Sequence, residues 1–118
     1  MDISGRHEEA GEYLMVGAAI AASVGTTRIQ QVTGVGYAMS REEPTLENAV
    51  SLVEAAVADL PEPPTGPVVA ERGEFYEEPA WSVGSSFASG FKYVESIGER
   101  EAVRIAHHAA YAARKLLL

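Results

Sequence analysis

The sequence predicts a mainly α-helical single domain over residues 1–118. About four packed helices are expected, at 7–25, 46–60, 80–97 and 99–118, with a minor two-stranded sheet between residues 30 and 72. Three observations lead there. The run Leu14–Gly25 carries no charge and almost no large side chain, which reads as a helix apolar on every side and therefore covered on every side. Leu46, Ala49, Val50, Val53, Ala56, Val57 and Leu60 keep the spacing of one helix face. Val103, Ala106, Ala110, Ala113 and Leu117 step by 3, 4, 3 and 4, as the a and d positions of a helix seam do.

Taken in order, the first helix opens among Glu8, Glu9 and Glu12, acids that suit a helix N-terminus. Gly17, Ala21 and Gly25 recur at one-turn intervals along it, a stripe that lets another backbone come close. Arg28–Met39 settles on neither period, and Gly34-Val-Gly36 interrupts any helix, so a short strand or extended loop is expected there. Thr45 caps the second helix and Pro61 stops it. Pro61–Pro67 is a stiff connector. Val68–Ala70 reads as a brief strand, pairing with residues 32–38. Pro79 opens the third helix, whose inner face runs through Trp81, Gly84, Phe87, Ala88, Phe91 and Val94 to a stop at Gly98. The fourth helix places Glu99 and Glu101 at its start and Arg114 and Lys115 at its end, in the sense the macrodipole favours.

Nineteen alanines and eleven glycines leave few large core-fillers, among them one Trp and three Phe. Burial energy follows apolar area, so a core of small residues invites help from a second subunit. The expectation is a homo-oligomer. Gly17, Ala21 and Gly25 of the first helix and Val103, Ala106, Ala110, Ala113 and Leu117 of the last would form its interface. The net charge is −8, which argues against direct binding to nucleic acid or to anionic membranes. Residues 42–78 hold ten carboxylates and one cation, Arg72. That face would suit a basic protein partner.

Signs of catalysis are weak. Gly84-Ser-Ser-Phe-Ala88 falls short of a nucleophile elbow, since its fifth residue is Ala and the sheet that motif needs is far larger. Gly34-Val-Gly36 lacks the third glycine of a dinucleotide loop, with Met39 in its place. Gly25-Thr-Thr-Arg28 reads as a helix end and polar turn rather than a phosphate cradle. There is no Cys, so thiolate chemistry and Cys-held metals are absent. Adjacent residues on a helix point about 100° apart, so His107 and His108 do not chelate together. His7 reaches Glu8 and Glu9 only through tertiary contact. No metal and no cofactor is expected.

What remains is a small soluble assembly or adaptor protein, non-enzymatic and cytoplasmic, that works by self-association and protein–protein binding. His107 and Tyr111 flank the last seam and are the candidates for a pH-sensitive or ligand contact. Phe75, Tyr76, Glu77 and Glu78, in a charged loop, are the candidates for partner contact. Two other readings stay open: a small enzyme or ligand-binding subunit with a pocket between protomers near His107 and Tyr111, and an acidic inhibitor that imitates nucleic acid through the carboxylates of 42–78.

Overall fold

The computed structural model describes residues 1–7 and 11–118, and all structural statements concern these. They form β1 (Asp2–Ser4), β2 (Met15–Val24), β3 (Ile29–Ser40), α1 (Leu46–Ala58), β4 (Val68–Ala70), α2 (Ala80–Gly84), β5 (Phe91–Tyr93) and α3 (Ile97–Leu117). The fold is mixed α/β and not mainly helical. The main correction falls on the first expected helix. Its apolar run is β2, an antiparallel partner of both β1 and β3; the part of that expectation on Glu8, Glu9 and Ala10 lies outside the described residues.

The misreading has a physical cause. A strand covered on both faces loses the alternation that marks a half-buried strand and looks like a buried helix. Gly17 lies under Leu52 of α1, with an added Cβ only 3.1 Å from its Cγ, so Met15, Gly17 and Ala19 face α1. Val16 and Ala18 point the other way and are buried as well. Alanine favours helices in isolation, but packing decides strand formation. Gly25 closes the turn into β3 by donating to the Arg28 carbonyl at 2.9 Å.

α1 covers one face of the sheet. Thr45 caps it by accepting from the Asn48 amide at 3.2 Å, and Ala49, Leu52, Val53 and Ala56 are its buried stripe. It stops at Ala58 rather than 60, where Asp59 caps the end. β4 pairs in parallel with β5, not with residues 32–38. The connection between them holds the short α2, so the expected helix over 80–97 is helical only at Ala80–Gly84. Gly90, with φ of 89°, turns the chain into β5. Phe87 and Phe91 stack at 6.0 Å, with Phe91 edge-on to Phe75 and Tyr93. Trp81, expected on the inner face, stands 81% exposed.

α3 begins in a full capping box between Ser96 and Glu99 and buries Gly98, Val103, Ala106 and Ala110. It lies over β1 and β2, on the face opposite α1. Asp2 pairs with Ala18 and shares that face, and it reaches His107. The Met1 amino group donates to the Val69 carbonyl at 2.9 Å, which sets β1 beside β4. The strands form two sheets, one in the order β1-β2-β3 and one of β4 and β5, with the Met1–Val69 bond between them. No helix among the described residues is long and apolar enough to cross a membrane.

Candidate functional site

The small-residue positions expected at a subunit interface are largely occupied inside the chain. Gly17 receives Leu52. Gly25 forms the β2–β3 turn against α3, where a Cβ on Gly98 would strike the Gly25 carbonyl oxygen. Val103, Ala106 and Ala110 are buried against the sheet. Ala21 and Ala113 are half-buried, and Leu117 is exposed. Close backbone approach therefore does occur at these residues, between helix and sheet of one molecule.

A different surface is left open. Cross-strand pairing puts Val35 beside Ile20, Tyr37 beside Ala18 and Met39 beside Val16, all on the α3 side of the sheet. Gly34 and Gly36 take the other side, where Pro61 and the end of α1 cover them. α3 spans β1 and β2 but scarcely reaches β3, so Val35, Tyr37 and Met39 remain 38%, 43% and 48% exposed. Glu101 accepts from the Ile29 amide at 3.0 Å, fixing which flank of α3 looks toward β3. Helical spacing places Ile105, Ala109, Ala112 and Leu116 along that flank. The result is an apolar trough, with β3 as floor and α3 as wall. The outer edge of β3 is blunted at its centre, where the Asp59 carboxylate accepts from the Tyr37 amide at 2.9 Å.

His107 and Tyr111 lie on the opposite flank of α3. His107 Nδ1 sits 3.0 Å from Asp2 Oδ2, with the carboxylate buried and the imidazole open to solvent. An ionised carboxylate only accepts, so Nδ1 donates and Nε2 faces outward. His108 packs edge-on to that ring at 5.5 Å, and Lys115 Nζ lies 5.5 Å from the Tyr111 ring centre. Asp2 joins a buried polar cluster. Glu74 bonds Arg6 at 2.8 Å and accepts from the Ile3 amide at 2.9 Å. Burial pushes the Glu74 carboxyl up, the Asp2 charge adds to this, and Arg6 opposes it. Sequence reasoning missed Asp2 and Glu74; an acid inside the apolar string Met1-Asp2-Ile3 is the signal that was there to find. No set of three metal-ligating side chains occurs among the described residues.

The loop at 75–78 divides its roles. Phe75 is fully buried and belongs to the core. Tyr76 is exposed, donates to the Pro44 carbonyl and lies beneath the Arg6 guanidinium at 5.2 Å. Glu77 holds a positive φ of 62°, and the Glu78 carbonyl accepts from the Tyr93 hydroxyl. Within the acidic stretch 42–78, Glu74 and Asp59 serve internal hydrogen bonds, and Glu71 pairs with Arg100 at 3.7 Å.

Comparison with known proteins gives a consistent result. The family model described as "Uncharacterized protein conserved in archaea (DUF2209)" matches residues 1–118. A curated relative, "Uncharacterized protein MJ0095" of Methanocaldococcus jannaschii, is 30% identical over 119 residues, spanning 100% of this chain and 94% of the relative. No solved structure matches the chain.

Proposed function

We propose that the chain, which belongs to this archaeal family, acts as a non-enzymatic protein that self-associates through the trough between β3 and α3. The observation that carries this is the row Val35, Tyr37 and Met39, apolar, adjacent and uncovered beside an alanine-rich helix flank. An exposed contiguous apolar surface marks an interaction site. A second copy is the favoured occupant because a two-fold contact sets the same row on both subunits, so one apolar face supplies both sides of the interface. The net charge of −8 then suits a basic protein as a further partner of the assembly.

The test is solution mass by light scattering, for the natural chain and for Tyr37→Glu. The natural chain is expected as a dimer whose melting temperature rises with concentration, and the variant as a folded monomer whose melting temperature does not. A natural chain that stays monomeric at the highest concentration reached contradicts the reading.

A second reading rests on the Asp2–His107 pair, since a carboxylate that fixes an imidazole with its other nitrogen exposed is a common arrangement for acid–base work or ligand contact. It predicts that ¹⁵N NMR finds the Nδ1 proton on His107 and that Asp2→Asn redistributes it. An unchanged tautomer in the variant removes that reading.

A further inference from the structure

β1 pairs with β2 only as far as Asp2 and Ala18, while β2 runs on to Val24. On the side that β1 leaves bare, a cavity of about 230 Å³ lies between β2 and β4. Ile20 and Ala22 line it on one side, Val68 and Val69 on the other. Val57 and Leu60, from α1 and the turn after it, meet it from one layer, and Ala102 and Val103 of α3 from the opposite one. Among the described residues, Glu99 is the one charged side chain in its lining. That carboxylate already holds Lys92 at 2.8 Å and accepts from the Ser96 amide at 3.1 Å.

Strand geometry aims backbone groups into this space. The Ile3 amide turns away from β2 to Glu74, and the Tyr37 amide turns away from β2 to Asp59. Backbone directions alternate along a strand, so Asp2 and Ala18 bond each other, as do Gly36 and Ala19 on the other side of β2. Ile20, two residues past Ala18, therefore turns its N–H and C=O into the cavity, where β1 no longer reaches. On β4, the Val68 amide donates to Gly90 and the Ala70 carbonyl accepts from Val94, both at the ends of β5. Val69 faces the other way: its carbonyl accepts from Met1, and its N–H looks into the cavity. No strand among the described residues pairs with Ile20 or with the Val69 N–H on this side. Both residues are half-buried, and backbone groups taken from water are costly to leave unpaired.

We infer that the cavity binds a flat, uncharged nitrogen heterocycle of one or two rings, the class to which nucleobases belong. Lying in the plane of the sheet, such a ring sets its edge donors and acceptors against Ile20 and Val69. Its two apolar faces then meet the side chains of α1 and α3. A dry cavity of about 150 Å³ holds benzene, so this one has room for a substituted ring or two fused ones. The strand edge decides against a plain hydrocarbon, which would leave those backbone groups unpaired. Charge decides against a phosphorylated ligand, because Glu99 lines the cavity and Glu62 the hollow next to it. The inference goes beyond self-association and does not depend on it, since Val35, Tyr37 and Met39 take no part in the lining.

The test titrates adenine, uracil, adenosine monophosphate and toluene separately into the ¹⁵N-labelled natural chain and reads its amide shifts. Saturable shifts at Ile20 and Val69 are expected with at least one of the two bases. Toluene, an apolar ring without edge groups, is expected to bind about tenfold more weakly, the loss that one unmade hydrogen bond brings. The monophosphate is expected to bind more weakly than adenine. Ala102→Leu fills the cavity from α3 and should abolish base binding; Ala22→Leu fills it from β2 and serves if the first variant does not fold. If neither base shifts these two amides saturably up to its solubility limit, the cavity is not a heterocycle site. Toluene binding as tightly as the bases, or base binding that survives a folded cavity-filled variant, overturns the inference as well. A monophosphate that binds as tightly as adenine overturns the exclusion of charged ligands.

Discussion

β2 and β3 lie side by side in one sheet and are both rich in small and apolar residues, yet they live in different surroundings. β2 has α1 on one face and α3 on the other, and Met15, Val16, Ala18 and Ala19 are buried. β3 has α1 and Pro61 over its glycines, while Val35, Tyr37 and Met39 stand uncovered. Small residues in β2 serve internal fit, because each lets a helix approach its backbone. The large residues of β3 pair with β2 but extend past the cover that α3 provides. The difference separates what holds the monomer together from what is left to meet another molecule.

The sharpest way to break that contrast is to disturb the fit around β2. Gly98 of α3 packs on the β2–β3 turn, where an added methyl meets the Gly25 carbonyl oxygen and Val24 Cγ1. Backbone cannot yield as a side chain does, so Gly98→Ala is expected to cost about 3 kcal/mol, at the upper end for overpacking, read by urea unfolding. A loss near zero would show that α3 is not seated as described.

Next in size is a pH effect at the strand beside β2. The Met1 amino group titrates at an ordinary 8.0 when unfolded and near 6 when folded, because burial disfavours its charge. The unfolded chain then binds more protons between these values, so stability rises from pH 6 to pH 8 and is lost on going back down. The gain is of the order of 2–3 kcal/mol. Glu74, raised by burial, works in the opposite sense above its ordinary carboxylate range. Comparing the free and N-acetylated chains isolates the amine, and the acetylated chain should lack the rise.

Smaller effects belong to β3. Asp59→Ala frees the Tyr37 amide at the sheet edge and should cost about 1 kcal/mol, the worth of one hydrogen bond to a charged acceptor near the surface. It should also raise aggregation on heating, since an unguarded edge pairs with other chains. Val35→Thr, on the bare face, should change monomer stability by no more than about 0.5 kcal/mol while weakening self-association. A large stability loss there would mean that the face is covered within the chain.

The same contrast explains what the sequence revealed. α1 and α3 were legible because each is buried along one stripe only: Ala49, Val53 and Ala56 of the first spacing and Val103, Ala106 and Ala110 of the second are the buried faces that pack on the sheet, while Leu60 lies beyond α1 and Leu117 is exposed. β2 was not legible because it is buried on both sides, which erases its period and leaves a string of alanines that favours helix. Phe87, Phe91 and Val94 keep helical spacing by coincidence, since a turn at Gly90 separates them into a loop and a strand. At the site, His107 was picked out by its place beside the seam, but its partner Asp2 lies 105 residues away. No local pattern pairs residues at that separation. Phe75 looked exposed because its neighbours are charged, whereas its ring meets Phe91 across the core at 5.5 Å.

Amide hydrogen exchange on the natural chain, dilute and then concentrated, puts the β3–α3 trough to the most direct trial. The account predicts that added protection on concentration appears in segments 32–39 and 105–116 and leaves α1 unchanged. Protection that grows instead on α1 or in the 75–78 loop, or that does not depend on concentration at all, would contradict it.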